Sequence, residues 1–112
     1  MSINTYEMAE DRFPNAEHLW FWFISSRKIQ NRLGQRDVWP GRCCELLDVE
    51  TLITKLYLAG RLSAAELRAL EKYGTRRRVP NQHAHAENRD AALWSSAMRT
   101  IGAECRAKGW VE

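Results

Sequence analysis

The C-terminal part of the chain carries apolar residues at helical spacing, and this pattern constrains the fold more than any other feature. Between positions 93 and 105 they recur three and four residues apart, which predicts one buried helical face. These residues are Leu93, Trp94, Ala97, Met98, Ile101 and Cys105. Gly109 suits a left-handed helix cap, and Trp110 stands where a Schellman cap makes its hydrophobic contact. We expect a helix that starts between Ala84 and Arg89 and ends before Gly109.

An aromatic block lies in the first predicted helix. Asn15 is a good N-cap, so this helix is expected to run from Ala16 to Leu33 and to end at Gly34. The block reads Leu-Trp-Phe-Trp-Phe-Ile over positions 19–24. Such a run is expected in the core. The alternative is a partner interface, because large exposed apolar patches are usually interaction sites; that interface would use Trp20, Phe21 and Trp22.

Two shorter helices are predicted between positions 48 and 73. Asp48 is expected to open the first of them, with Leu47 and Leu52 at hydrophobic-staple spacing, and a glycine at position 60 is expected to end it. Ser63-Ala-Ala-Glu66 is a capping box, in which hydroxyl and carboxylate each bind a free backbone amide. The helix that it opens is expected to stop at the glycine at position 74.

These patterns predict an all-α fold: a small bundle of about four helices that contains a helix-turn-helix-like hairpin. No segment alternates as a strand would, although Trp110-Val111 could pair as a stub. The length of 112 residues is that of one domain. We expect a loosely ordered acidic segment over 1–14 and a single helical domain over 15–112.

The turn between the two short helices carries a resemblance. Positions 56–67 read Leu-Tyr-Leu-Ala-Gly-Arg-Leu-Ser-Ala-Ala-Glu-Leu. This string resembles the opening of many bacterial helix-turn-helix domains, where a leucine-rich helix and a Gly-x-Leu-Ser/Thr turn lead into a capped helix. The resemblance implies that the helix from Ser63 to Tyr73 is the recognition helix or the second of three. The alternative is a plain αα-hairpin in a bundle that touches no DNA.

Basic residues concentrate after that turn. Between positions 61 and 78 the chain has six basic residues against Glu66 and Glu71. The six are Arg61, Arg68, Lys72, Arg76, Arg77 and Arg78. Three consecutive arginines in a loop between helices can bind phosphates with guanidinium groups and backbone amides. A solvated loop and helix face is the simpler interpretation of the same pattern.

Metal and enzyme chemistry are poorly supported by the sequence. Cys43 and Cys44 are adjacent and His83-x-His85 supplies only two nitrogens, whereas zinc ligands usually come in pairs two to four residues apart. Cys105 lies on an apolar helical stripe and is expected to be unreactive. We therefore expect no metal, no cofactor and no catalytic site.

The expected location is the cytoplasm. The odd number of cysteines has no disulfide spacing, and no secretory signal or membrane-spanning run is present. The net charge of +3 is mild, so only the distribution of charge argues for an anionic partner.

The resulting functional hypothesis is a non-enzymatic, helix-turn-helix regulator of transcription that binds double-stranded DNA. The alternative is a protein–protein interaction module, an adaptor or small inhibitor, that uses its tryptophan-rich surface and binds no nucleic acid. A homodimer or another protein partner is compatible with both hypotheses, and neither involves a membrane.

Overall fold

The computed structural model describes residues 12–33 and 43–112, with the backbone alone for residues 30–33. Within these ranges the regular elements are four α-helices and one short 3-10 turn. The helices are α1 (Ala16–Leu33), α2 (Leu46–Leu58), α3 (Ala64–Arg76) and α4 (Asn88–Ala107), and the 3-10 turn spans His85–Glu87. The all-α prediction is confirmed. Residues 1–11 of the predicted acidic segment (1–14) lie outside the described ranges. Gly34, the predicted end of the first helix, also lies outside them.

Three predicted helix ends are confirmed by their caps. The backbone amide of His18 donates to Asn15 Oδ1 at 2.9 Å at the start of α1. At the start of α3, Ser63 and Glu66 form the predicted capping box. Gly109 has a φ of 78° after α4, and the amide of Trp110 donates to the carbonyl of Cys105 at 2.9 Å. These bonds satisfy backbone groups that a helix end otherwise leaves unpaired.

The predicted start of α2 is wrong by three residues, since the sequence predicts Asp48 as the N-cap and Glu45 takes that position. The helix begins at Leu46, because the carboxylate of Asp48 accepts from the amide of Glu45 at 2.9 Å and so makes Glu45 the N-cap. This register moves the staple positions from Leu47 and Leu52 to Cys44 and Val49. Cys44 and Val49 are buried, whereas Leu47 is 66% exposed.

The predicted end of α3 is also wrong. Gly74 lies inside the helix, which continues to Arg76, and Arg77 ends it in a left-handed conformation with a φ of 59°. Gly74 is buried where α1 crosses α3. A Cβ there would lie 2.8 Å from Trp20 Nε1 and 2.9 Å from Ile24 Cγ1. This glycine therefore permits a close approach of two helices.

The core lies between α1, α3 and α4, and the buried side of α2 joins it by packing against α1. Trp20 Nε1 donates to the carbonyl of Leu70 at 2.9 Å and ties α1 to α3. The segment before α1 and the segment after α4 are joined by a parallel β-bridge between Phe13 and Val111. The sequence indicates a possible strand stub at Trp110-Val111. Phe13 donates to Trp110 O at 2.9 Å and accepts from Glu112 N at 3.0 Å.

Candidate nucleic-acid interface

The exposed side of α3 carries cations at four-residue spacing. Ala69, Leu70, Tyr73 and Gly74 are buried, and this burial turns the opposite side of the helix to solvent. Arg68, Lys72 and Arg76 lie on that side, one turn apart, and all three are exposed. Residues four apart are neighbours on a helix surface, so these cations form a continuous basic stripe.

A groove of about 390 Å³ runs beside this stripe, between α3 and α4. Small and apolar side chains line part of it, and three cations stand around it, from both helices. The lining residues are Ala65, Arg68, Ala69, Lys72, Arg89, Asp90 and Leu93. Arg89 was not among the residues predicted from the sequence, since nothing in its local pattern indicates that the first turn of α4 lies beside α3.

The carboxylate in this groove is engaged inside the protein. Asp90 Oδ2 accepts from Lys72 Nζ at 2.9 Å and from the hydroxyl of Tyr73 at 2.8 Å. These two hydrogen bonds hold the pKa of Asp90 below its usual range. The bond to Asp90 in turn raises the pKa of Lys72, and burial together with the same carboxylate raises the pKa of Tyr73. Lys72 therefore stays protonated at neutral pH, and the carboxylate of Asp90 offsets part of its positive charge.

The three consecutive arginines are not equivalent, and the prediction that all of them lie in a loop is wrong for Arg76, the last residue of α3. Arg78 forms a bidentate ion pair with Glu87: Nη1 donates to Oε1 at 2.9 Å, and Nη2 donates to Oε2. The amide of Asn81 also donates to Glu87, at 2.8 Å. Chiefly because of Arg78, the pKa of Glu87 falls to about 2. Arg78 is thus paired with a carboxylate, whereas Arg77 has no ion-pair partner within the described ranges; both are exposed.

One aromatic ring lies close to three of these cations. Lys72 Nζ, Arg76 Cζ and Arg78 Cζ lie 5.3, 5.7 and 5.4 Å from the ring centre of Tyr73. A cation within about 6 Å of a ring centroid is attracted by the ring quadrupole. Tyr73 therefore helps to hold like charges near one another at the end of α3.

Arg61 does not belong to this cluster, because it forms an ion pair with a glutamate of α4. Its guanidinium Nη1 lies 2.8 Å from Glu104 Oε2 near the end of α4. Of the six predicted cations, Arg61, Lys72 and Arg78 have carboxylate partners within the described ranges. Arg68, Arg76 and Arg77 have no ion-pair partner there, and neither does Arg89.

Comparison of the chain with models of protein families, with curated proteins and with solved structures finds no match.

The aromatic block of α1 faces mostly inward. Trp20 is 3% exposed, whereas Phe21 and Trp22 are half-buried and pack against the core. Phe21 stacks on Trp94 with ring centres 5.7 Å apart, and Trp22 packs against Phe13 at 5.2 Å. Burial of this kind is what the core interpretation predicts. Of the three residues of the alternative interface, only Phe21 and Trp22 are partly exposed.

The cysteines and histidines form no metal-binding group in the part of the chain that the structure describes. Cys44 and Cys105 are buried, and burial raises the pKa of both thiols, that of Cys105 to about 12. A thiol with so high a pKa stays protonated at neutral pH and is a poor nucleophile. Among the described helices, none is long and apolar enough to span a membrane.

Proposed function

We propose that the protein is a non-enzymatic regulator that binds double-stranded DNA through a basic face formed by α3 and the start of α4. We define the basic face by its members, which are Arg68, Lys72, Arg76, Arg77 and Arg89. One observation carries the proposal: three cations surround the groove between α3 and α4, and the carboxylate among them is already bound by Lys72 and Tyr73. The groove is therefore basic and suited to phosphate.

Unpaired arginines strengthen the argument. Arg68, Arg76, Arg77 and Arg89 are exposed and have no carboxylate partner within the described ranges. An arginine presents a planar fork that matches a phosphate with two hydrogen bonds. Their positions, over about two turns of α3 and across the groove, can follow a run of backbone phosphates.

The turn before α3 supports a helix-turn-helix assignment. Gly60 has a φ of 78°, and the amide of Arg61 donates to the carbonyl of Leu56 at 2.9 Å, which completes a Schellman motif. Such a tight turn lets α3 leave α2 at a steep angle, as the recognition helix of this motif requires. The α2 helix packs on α1 more than on α3, so the third element of the unit is α1.

Sequence readout is expected to be modest. The first turn of a recognition helix usually meets the base edges, and here it presents Ala64 and Ala65. Alanine can contact a thymine methyl group but forms no side-chain hydrogen bonds. Arg68 is the first side chain along α3 that could bind a base edge, so most of the affinity is expected to come from phosphates.

A mobility-shift titration against mixed-sequence duplex DNA at several salt concentrations tests the proposal. Each phosphate that is neutralised contributes about 0.9 to the slope of log affinity against log salt. The variant Arg76→Ala/Arg77→Gly is expected to lower that slope by about 2 and to weaken binding to all sequences alike. Glycine is chosen at position 77 because its left-handed φ of 59° favours glycine, so the fold is not destabilised.

Arg99→Ala provides a control, since it removes one arginine charge, as Arg68→Ala does, from an exposed position of α4 outside the basic face. Arg99 lies ten residues beyond Arg89, about 15 Å along the helix, and should leave the slope unchanged. Arg68→Ala should relax the preference at one base pair if Arg68 binds a base edge. Failure of the wild-type protein to shift any duplex at low salt would refute the proposal and favour the interaction-module hypothesis.

A further inference from the structure

The outward side of α2 is unusually poor in charge. The opposite side of this helix is buried through Leu46, Val49, Leu52 and Leu56. The outward side carries a line of four exposed residues, which we call the outer stripe: Leu47, Thr51, Thr54 and Leu58. Leu47 is 66% exposed and Leu58 is 77% exposed, more than any other large hydrophobic residue in the described ranges. A solvated helix face normally carries charges, so this stripe requires an explanation.

The outer stripe reads the same in both directions. Its residues are four, three and four positions apart, as leucine, threonine, threonine and leucine. If a second copy of α2 lies antiparallel on this face, Leu47 meets Leu58 of the second copy at both ends, and the threonines meet in the middle. The hydroxyl of Thr54 already donates to the carbonyl of Glu50 at 2.9 Å, so it needs no partner from the second copy.

The polar and charged residues beside the outer stripe are also complementary between two antiparallel copies. At 3.6 residues per turn, Asp48 and Lys55 lie on one flank of the stripe, and Glu50 and Tyr57 lie on the other. A two-fold axis that pairs antiparallel helices places each flank against the same flank of the other copy. Lys55 then faces Asp48 of the second copy, and the Tyr57 hydroxyl faces the Glu50 carboxylate.

These flanking groups are free to make such contacts. Lys55 and Glu50 have no ion-pair partner within the described ranges, and Tyr57 is 46% exposed. Asp48 uses Oδ2 for the amide of Glu45 and keeps its other oxygen. Each copy would thus supply one lysine and one aspartate, which gives two ion pairs and no repulsive pair at the same level.

We propose that the protein forms a two-fold symmetric homodimer through antiparallel pairing of α2 with α2 of a second copy. The paired helices are 13 residues long. A helix of that length extends about 20 Å, so the buried area is small and the dimer is weak, with a dissociation constant in the micromolar range or above. The dimer needs no nucleic acid and can be tested without DNA.

Sedimentation equilibrium over a series from micromolar to millimolar protein tests the pairing. The mass of the wild-type protein is expected to rise from one chain toward two. Leu58→Lys places a charge in both leucine layers and is expected to weaken association about tenfold or more. The matched control is Val79→Lys, at a side chain that is 44% exposed outside α2, and it should associate like the wild type.

The double variant Leu47→Glu/Leu58→Lys distinguishes antiparallel pairing from general hydrophobic association, because the two introduced charges oppose each other across the dimer. It is expected to associate more tightly than either single variant. Circular dichroism should show that every variant is folded, as the substituted side chains are exposed. A wild-type mass of one chain throughout, equal effects of Leu58→Lys and Val79→Lys, or no recovery in the double variant would each overturn the proposal.

Discussion

The most direct test of the packing between α1 and α3 is Gly74→Ala, a substitution that would stabilise most helices. In an unhindered helix interior, alanine is more favourable than glycine by about 1 kcal/mol. Here the added Cβ would lie 2.8 Å from Trp20 Nε1 and 2.9 Å from Ile24 Cγ1. Both distances are well inside the van der Waals contact of about 3.5–4.0 Å, so α1 and α3 must separate or Trp20 must turn.

Two costs follow from either movement. Overpacking of a core usually costs about 1–3 kcal/mol. The bond from Trp20 Nε1 to the carbonyl of Leu70, 2.9 Å long, is weakened, and a buried donor without a partner costs about 1–3 kcal/mol. After the helix-propensity gain of about 1 kcal/mol is subtracted from the sum of the two costs, Gly74→Ala is expected to lower the free energy of unfolding by about 1–5 kcal/mol.

Gly102→Ala is the matched control, since Gly102 is also a buried glycine inside a helix. A Cβ there meets Ala16 Cβ and the guanidinium of Arg106 at 3.6 Å, which is ordinary contact. Only the propensity gain remains, so this variant is expected to be more stable by up to about 1 kcal/mol. Urea unfolding followed by far-ultraviolet circular dichroism measures both. If Gly74→Ala is as stable as the wild type or more so, the close approach of α1 and α3 is refuted.

Two further predictions concern caps and acid stability. Ser63→Ala removes the side-chain acceptor of the α3 capping box and is expected to lower the free energy of unfolding by about 1 kcal/mol; an unchanged urea midpoint would mean that the cap does not stabilise α3. Glu87 has a folded-state pKa of about 2 against an ordinary value of 4.5, so its contribution is present above pH 4.5 and is lost as the pH falls toward 2. Comparison of urea midpoints at neutral pH and about pH 3 should therefore show a smaller acid loss in Glu87→Gln than in the wild type, and parallel losses would show that the Arg78–Glu87 pair contributes nothing.

Local sequence predicted the helices well wherever a cap acts over a few residues. Ser63 with Glu66, Asn15 and Gly109 each satisfy backbone groups of their own helix, so the relevant physics lies within one turn. The start of α2 was missed because its N-cap is Glu45, a residue type outside the usual N-cap set. The reciprocal carboxylate of Asp48 decides the position there.

Contacts between distant segments account for the other differences. Gly74 looks like a helix stop until Trp20, more than fifty positions earlier, is seen to occupy the space of its missing side chain. The charge count between positions 61 and 78 likewise missed Glu104 and Glu87, which neutralise Arg61 and Arg78. Of the six cations predicted for the interface, three are therefore paired with carboxylates inside the protein.

The bridge between Phe13 and Val111 has a consequence for chain connectivity. It places the start of α1 and the end of α4 side by side, so a short covalent linker could join these two points without distorting any helix. A new pair of ends could then be opened at Gly60, whose neighbours Ala59 and Arg61 are also exposed. Such a circular permutant would keep the contacts among α1, α3 and α4 while separating α2 and α3 in the chain.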